Sequence, residues 1–381
     1  MFAVVLFWIT VFLIFYTYCG YFLLLLIWHR LARRKSLTER SDLPTVTMVI
    51  SAHNEQAVIR KKIENCRSID YPRGRIEFLF GTDGCTDGTD RVLQQNDDLR
   101  VIAFSERSGK AGVLNRLVPQ ATGEILCFSD ANTIYEPDAI RKLVRHLSDE
   151  RIGGVCGNLL LTDRENPAAK EGEARYWHYE NRIKKLEGDI RTVFGASGGI
   201  YVIRRELYQP LPADRMINDD FLLSMRVVQQ GYDVIYDGKA VAYETPSSDV
   251  KGEFRRKVRI GAANFAVLPQ IADLLHPNKG FIAFGLWSHK IVRWLVPFLL
   301  LIALIASACA LDRPFFQWIF AAQLLFYGTA LVGCLAEKRF SLPVFVLYPY
   351  YFTAVNLALA VGFFRFLFRL QKPTWQSIER N

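Results

Sequence analysis

The chain has 381 residues, 51% of them hydrophobic and 13% aromatic, and its mean hydropathy of +0.11 is high for a soluble domain. The 22% of charged residues is too many for a bundle of membrane helices alone, so we expect one membrane part and one soluble part. Seven cysteines in this length exclude a disulfide-stapled scaffold, and the apolar content excludes intrinsic disorder.

The first predicted element is a membrane anchor over residues 1–35. Residues 2–28 contain no charged side chain, and that length of apolar chain is enough to cross a bilayer. A cleaved signal peptide would have a basic start and a shorter apolar core, so we expect the anchor to be retained. The basic stretch from His29 to Lys35 places the following segment in the cytoplasm, because positive residues near the end of a span resist translocation.

The net charge of +9 does not indicate a nucleic-acid-binding protein. The chain has 47 basic and 38 acidic residues, and many of the basic ones lie beside apolar runs. Positive residues take this position at the ends of membrane helices. We therefore expect membrane lipid, and no nucleic acid, among the partners.

Residues 44–250 have the pattern of a cytosolic α/β domain with a mostly parallel sheet. Short apolar runs alternate there with charged helical stretches. The predicted strands are 45–51, 76–81, 101–104 and 125–128, and the predicted helices are 55–67, 109–118 and 136–147. Ligands of such sheets bind at the carboxyl ends of the strands.

Three predicted strands end in polar clusters, at residues 52–55, 82–89 and 129–132. Each cluster alone fits a capped turn, but on one sheet the three would converge on one crevice. Asp83 there would accept a hydrogen bond from a nucleobase, and Asp130 would hold a divalent cation on a diphosphate. The sequence has no P-loop and no GxGxxG after a strand, which removes the main support for a kinase, an ATPase or a dehydrogenase.

Two further motifs lie downstream in this domain. The glycine-rich turn at 195–199 is either a simple hairpin or a place where a ligand approaches the backbone closely. Asn218, Asp219 and Asp220 begin a predicted helix and either cap it or supply a general base for an acceptor hydroxyl.

A helix over 173–186 carries aromatic side chains, Trp177 among them, at helical spacing. These aromatic residues fit core packing or a membrane-interface belt, and the alternative is a rail that faces the acceptor.

The C-terminal third returns to the membrane pattern. We predict interfacial amphipathic helices over 251–290, membrane helices over 291–370 and a tail over 371–381. The candidate spans are 291–310, 315–336 and 343–367, with Arg293 near enough to a span end to snorkel. Three spans conflict with the basic residues near the C-terminus, and Pro343 and Pro349 make the last span the candidate for a re-entrant segment.

Taken in order, the motifs of residues 44–260 resemble those of processive family-2 glycosyltransferases. That group includes the cellulose, chitin-oligosaccharide, hyaluronan and poly-N-acetylglucosamine synthases, and flanking membrane segments also fit it. The resemblance implies a GT-A, Rossmann-like fold. The residues that carry the resemblance are those at 52–55, 82–89, 110–115, 129–132, 198–199 and 218–220.

On the donor side, the resemblance implies that Asp83 contacts the uracil of a UDP-sugar. Ala52 and Glu55 would line the same nucleoside pocket. Lys110 would offset the charge of the diphosphate, and Asp130 resembles the first acid of a DxD motif that binds Mg²⁺ or Mn²⁺. The second acid of that motif is replaced by Asn132, which keeps an oxygen ligand but brings no charge.

On the acceptor side, the resemblance makes Asp220 the candidate base, with Asp219 beside it. Gly198, Gly199 and Trp177 are the candidate acceptor contacts. An in-line displacement by the acceptor hydroxyl would invert the anomeric centre.

The chain departs from the family's Gln-x-x-Arg-Trp motif. The nearest equivalent begins at Arg256 and ends at Ile260, which stands where the family has a tryptophan that stacks on the acceptor sugar. Arg256 and Arg259 either pair with the diphosphate or belong to a basic interfacial helix on anionic lipid. The loss of the tryptophan puts long-chain processivity in doubt, though not transfer itself.

The sequence thus predicts an inverting, metal-dependent glycosyltransferase of the inner or plasma membrane, with its catalytic domain in the cytoplasm. It would transfer sugar from a UDP-sugar to a growing β-linked glycan, and an accessory membrane subunit is an allowed partner. The first alternative is transfer of a single sugar to a polyprenyl phosphate or another lipid-linked acceptor. The second is a transport or scaffold subunit with an inactive transferase domain, which has no chemical need for Asp83, Asp130 and Asp220 together.

Overall fold

The computed structural model describes residues 1–31, 43–161, 167–244, 250–337 and 342–374. These residues form two compact units, which we describe separately. The first is built from Met1–Leu24, Asp249–Ala266 and Ala283–Gln371, and the second from Leu25–Ser248, Val267–Ile282 and Lys372–Asn381. The α-helices, in chain order, are α1 (Phe2–Phe15), α2 (Tyr21–Leu31), α3 (Gln56–Ser68), α4 (Thr89–Gln94), α5 (Gly109–Leu117), α6 (Ala139–Val144), α7 (Pro167–Ile190), α8 (Asp219–Gln229), α9 (Val250–Val267), α10 (Phe281–Gly285), α11 (Val292–Ala308), α12 (Pro314–Ala336) and α13 (Val344–Leu367).

The second unit contains an eight-stranded sheet within its described residues. The strands are β1 (Val46–Ala52), β2 (Ile76–Asp83), β3 (Arg100–Phe104), β4 (Ile125–Asp130), β5 (Thr133–Tyr135), β6 (Ile152–Leu161), β7 (Tyr201–Arg204) and β8 (Asp233–Glu244), in the order β3-β2-β1-β4-β7-β6-β8-β5. The first four strands are mutually parallel, β6 is parallel to β8, and β5 and β7 pair antiparallel with their neighbours. The predicted α/β class with a mostly parallel sheet is confirmed.

The register of β1 brings the predicted polar clusters together. β1 is buried along its whole length and lies between β2 and β4. Ala52 pairs with Thr82 on one side, and Ser51 pairs with Asp130 on the other. The carboxyl ends of three strands therefore meet at one edge of the sheet, as the sequence predicted.

Among the described residues, five helical segments are long and apolar enough to cross a membrane. They are Phe2–Leu31, Phe254–Leu275, Phe281–Ala308, Pro314–Ala336 and Val344–Leu367. The second falls in the region predicted to be interfacial, and more than half of the residues in its most apolar stretch are buried. The last is one continuous helix that contains Pro349 and has Pro343 as its N-cap.

The apolar helical segment that contains Arg293 begins earlier than the span predicted to start at residue 291. The apolar segment begins at Phe281, so Arg293 lies well inside it and not near its end. Its side chain is buried, and its guanidinium carbon lies 5.5 Å from the ring centroid of Tyr18. A cation–π contact of this kind partly compensates a buried guanidinium for lost hydration.

The buried carboxylate of Asp237 gives the sheet unit a testable pH dependence. His146 Nε2 lies 2.8 Å and an Arg145 guanidinium nitrogen 2.9 Å from Asp237 Oδ2. Burial alone would raise the pKa of Asp237, but its hydrogen bonds and these neighbours lower it to about 2. Because the pKa is lowered, the stabilisation is present above about pH 4 and is lost as the pH falls towards 2, and it amounts to about 2 kcal/mol.

We therefore expect Asp237→Asn to lower the melting temperature of the purified chain in detergent at pH 7. The gap to the unaltered protein should narrow as the pH falls from about 4 to about 2. Asp97→Asn, at an exposed carboxylate, is the control and should leave the melting temperature unchanged. A gap that stays constant over this range would contradict the assignment.

Candidate active site

Lys110 joins two of the predicted acids. Its Nζ lies 2.7 Å from Asp130 Oδ1 and 3.0 Å from Asp219 Oδ2. Lys110 is on the first turn of α5, Asp130 ends β4 and Asp219 begins α8, so three separate elements converge here. Burial alone would lower the pKa of Lys110, but Asp130 and Asp219 raise it well above its ordinary value. The lysine therefore stays charged and offsets the repulsion between the two acids.

Asp219 and Asp220 are in different environments although they are neighbours in sequence. Asp219 pairs with Lys110, whereas Asp220 Oδ1 accepts a hydrogen bond from the backbone N–H of Phe221, 2.8 Å away. Burial and the adjacent Asp219 raise the pKa of Asp220 to about 6, against the opposing influence of Lys110. A pKa of about 6 suits Asp220 to accept a proton near neutral pH, whereas the carboxylate of Asp219 is engaged with Lys110.

The glycine turn lies against this acidic cluster. A Cβ on Gly198 would lie 3.2 Å from Asp220 Oδ2, and a Cβ on Gly199 would lie 2.7 Å from Thr133 Oγ1. Glycine at these positions allows the turn to approach Asp220 and the β5 strand. The structure thus brings the predicted glycines next to the predicted base.

Asp83, the last residue of β2, is fully buried, and its side chain lies against the first residues of α5. Its two carboxylate oxygens accept hydrogen bonds from the backbone N–H groups of Ser108, at 2.6 Å, and Gly109, at 2.9 Å. A carboxylate is favourable at a helix N-terminus. Asp83 therefore holds the turn that precedes Lys110, and its contact with a uracil stays a prediction.

Ala52 and Glu55 lie at the carboxyl end of β1, as predicted. Ala52 is fully buried, and the backbone N–H of Glu55 donates to Thr89 Oγ1 over 2.9 Å. His53 Nδ1 lies 2.6 Å from the carbonyl oxygen of Asp83. These contacts join the loops after β1 and β2.

The residues predicted to hold a metal present oxygen atoms suited to Mg²⁺ or Mn²⁺. One oxygen of Asp130 pairs with Lys110, and the carboxylate is about one third exposed. The side-chain N–H of Asn132 (Nδ2) donates a hydrogen bond to Glu244 Oε1 over 2.9 Å. Because an ionised carboxylate only accepts, this contact orients the amide so that its oxygen faces away from Glu244.

No group of three or more His, Cys, Asp or Glu side chains that could hold a metal ion occurs among the described residues. This result does not conflict with the predicted ligands. A Mg²⁺ ion is commonly held by one or two carboxylates together with phosphate oxygens of the substrate. One carboxylate and one amide oxygen fit that arrangement.

Three predicted residues are not placed in the site. Arg256 and Arg259 lie on α9, whose residues up to Ala266 belong to the other unit, so their contact with a donor stays a prediction. The side chain of Trp177 is outside the described residues.

Three contributors to the site were missed from the sequence. Glu244 orients Asn132, while Lys62 and Asn65 of α3 contact the segment that carries Asp130. Lys62 had a readable signal, because it interrupts the apolar stripe of α3 that includes Ile59 and Ile63. Glu244 had none, since its partner is far away in sequence.

The glycosyl transferase family 2 profile matches residues 47–211, from β1 past the glycine turn. The chain contains a glycosyltransferase family 2 domain. This match confirms the predicted enzyme class for the matched domain.

Two curated relatives are similar to this chain over most of its length. The probable glycosyltransferase YdaM of Bacillus subtilis (strain 168) is 26% identical over 267 residues, which are 65% of this chain and 61% of YdaM. The poly-β-1,6-N-acetyl-D-glucosamine synthase of Staphylococcus epidermidis is 20% identical over 375 residues, which are 90% of this chain and 89% of that protein. This chain thus spans about three fifths of YdaM and most of the synthase.

A solved structure confirms the GT-A fold of the glycosyltransferase. The mannosyltransferase PcManGT from Pyrobaculum calidifontis, solved with GDP-Man and Mn²⁺, has a TM-score of 0.72 and 22% identity. The match covers 96% of this chain and 99% of PcManGT. A similarity of this extent shows a shared fold.

The contacts of the glycine turn predict different effects for its two residues. We expect Gly199→Ala to destabilise the glycosyltransferase by about 1–3 kcal/mol, because its Cβ would collide with Thr133. Gly198→Ala should change stability less but reduce sugar transfer, because its Cβ displaces Asp220. Melting temperature and transfer rate measure the two effects.

Gly74→Ala is the matched control, since an added Cβ there meets nothing within 4 Å. Equal melting temperatures for Gly199→Ala and Gly74→Ala would contradict the predicted collision.

Proposed function

We propose that this glycosyltransferase transfers a sugar from a UDP-sugar, with inversion, to a growing β-linked glycan at the membrane. The observation that supports the proposal best is the convergence of Asp130 and Asp219 on Lys110, with Asp220 adjacent to Asp219. Such a cluster offers a site for a diphosphate and a separate base. Neither the binding of a diphosphate by this cluster nor the deprotonation of an acceptor requires a P-loop or a dinucleotide-binding motif, which the sequence lacks.

In the proposed reaction Asp220 is the base. The acceptor hydroxyl gives its proton to the Asp220 carboxylate while its oxygen forms a bond to the anomeric carbon. The bond between the anomeric carbon and the diphosphate oxygen breaks, and its electron pair leaves with UDP. Attack opposite the leaving group converts an α-linked donor into a β-linked product. Asp219 keeps Lys110 in place during this step.

We assign the diphosphate to the carboxyl end of β4. Asp130 and Asn132 would hold Mg²⁺ or Mn²⁺, which neutralises negative charge on the diphosphate when bound. Lys110 adds a fixed positive charge there, and Arg256 and Arg259 remain candidate contacts. Asp83, Ala52 and Glu55 would form the nucleoside side of the pocket.

The acceptor proposal rests on the relatives and on the acceptor-side residues. Poly-β-1,6-N-acetyl-D-glucosamine synthases match this chain over most of its length, which favours a β-linked polymer. Gly198 and Gly199 are the acceptor contacts that we propose beside Asp220, with Trp177 as a third. Ile260 in place of a stacking tryptophan favours the second candidate, transfer of one sugar to a lipid-linked acceptor.

We also propose that the catalytic domain faces the cytoplasm, where nucleotide sugars are made. The basic residues that follow the first apolar segment support this orientation. An accessory membrane subunit is a further candidate partner.

The base assignment predicts a large loss of activity in Asp220→Asn. We expect release of UDP with acceptor present to fall about 100-fold or more, because positioned general bases contribute that much. Asp214→Asn, at an exposed carboxylate paired with Arg215, is the control and should keep full activity. Unchanged UDP release in Asp220→Asn would exclude this base.

The raised pKa of Asp220 also predicts a pH profile. Since a protonated carboxyl cannot accept a proton, kcat/KM should fall as the pH drops below about 6. A profile that is flat between about pH 5 and 7 would contradict the assignment.

Donor, metal and product are tested together on the purified chain in detergent. We expect chelation to abolish transfer and added Mn²⁺ or Mg²⁺ to restore it, but not in Asp130→Ala. A panel of labelled UDP- and GDP-sugars should show release from a UDP-sugar. Sizing of the product separates a polymer ladder from a single lipid-extractable product, and the latter would contradict the polymer proposal.

A further inference from the structure

Lys62 is an ionisable residue in the core of the second unit. It lies on the buried face of α3 with Ile59, Ile63 and Cys66, and its side chain is completely buried. Within the described part of the chain, no carboxylate lies within salt-bridge distance of its ammonium group. A buried charge without an ion pair is unfavourable unless its N–H groups are hydrogen-bonded. An apolar residue would fill this position at lower free-energy cost, so a lysine here indicates a specific role.

The ammonium of Lys62 joins the two ends of the turn that carries Asp130 and Asn132. Its Nζ donates to Ser129 Oγ over 2.7 Å and to the carbonyl oxygen of Thr133 over 2.6 Å. These two acceptors stand immediately before Asp130 and immediately after Asn132 in the chain. The turn is therefore fixed at both ends by one side chain.

Asn65, almost one turn further along α3, extends this contact. Its Oδ1 accepts from the backbone N–H of Tyr135 over 2.9 Å, and its Nδ2 donates to the Tyr135 carbonyl over 2.8 Å. Lys62 Nζ also lies 5.0 Å from the centroid of the Tyr135 ring. α3 thus contacts the segment from Ser129 to Tyr135 at three positions.

We infer that Lys62, assisted by Asn65, is a positioning residue for the metal and diphosphate site. It keeps the oxygens of Asp130 and Asn132 in the arrangement that a cation on the diphosphate requires. The inference deepens the proposed function and rests on it. Ligands that supporting contacts hold in place lose less freedom on binding, so removal of the support weakens metal binding.

A purely structural role for Lys62 makes a different prediction. In that case its removal changes the stability of the fold but not the metal concentration that the folded protein needs. Because replacement of a buried charge by an apolar side chain of similar length is often neutral or stabilising, the melting temperature alone does not reveal a positioning role. Melting temperature and metal requirement therefore separate the two roles.

The test compares Lys62→Met with Lys61→Met in the full chain in detergent. Lys61 is the neighbouring lysine on the same helix and is exposed. Binding of UDP is measured by calorimetry over a titration of Mn²⁺. We expect Lys62→Met to raise the half-saturating Mn²⁺ concentration about tenfold, and Lys61→Met to leave it unchanged. A folded Lys62→Met variant with the unaltered Mn²⁺ requirement overturns the inference.

Ser129→Ala tests the same contact without the loss of a charge. It removes one acceptor of Lys62 and should raise the Mn²⁺ requirement by a smaller factor. If the two residues act through each other, the double variant should resemble Lys62→Met and not the sum of both effects. If Lys62→Met does not fold, an unchanged Mn²⁺ requirement in Ser129→Ala overturns the inference.

Hydrogen exchange distinguishes failure of this inference from failure of the proposed function. If the unaltered protein binds no UDP with Mn²⁺, the donor proposal is wrong. Faster exchange at residues 129–135 in Lys62→Met, relative to Lys61→Met, would still support the positioning contact. Equal exchange in the two variants would overturn it.

Discussion

The site depends on one lysine that separates two carboxylates. Lys110 holds Asp130 at 2.7 Å and Asp219 at 3.0 Å, and these acids come from the end of a strand and the start of a helix. Without a cation between them, the two acids would repel each other. Because the carboxylates raise the pKa of Lys110, the charge persists at every physiological pH. Burial and the adjacent Asp219 raise the pKa of Asp220, and Lys110 opposes that rise.

On the proposed function, this arrangement also explains why a divalent cation would be needed. Asp130 already neutralises part of the charge of Lys110, so the lysine alone cannot balance a dianionic diphosphate. A cation on Asp130 and Asn132 supplies the missing charge. Glu244 contributes indirectly, since it orients the amide that replaces the usual second acid. The loss of that acid is thus compatible with metal binding.

Two lysines act on Asp130 in different ways. Lys110 contacts its carboxylate, whereas Lys62 hydrogen-bonds the backbone and hydroxyl on either side of it. Asp83 has a similar indirect effect, because it holds the turn that leads into Lys110. The hydrogen bonds of the fully buried Lys62 and Asp83 therefore position the segments that carry the partly exposed Asp130 and Lys110.

The sequence by itself determined the division into apolar helices and an α/β domain, and it located the acids at the strand ends. Both depend on local signals, namely the length of apolar runs and the residues that follow each strand. Only the tertiary structure decided which groups pair. Asn132 meets Glu244 across 112 residues, and Lys62 meets Ser129 across 67. It also placed Arg293 inside an apolar helical segment that begins at Phe281, ahead of the span predicted to start at residue 291. Such contacts follow from strand order and helix packing, which local patterns do not encode.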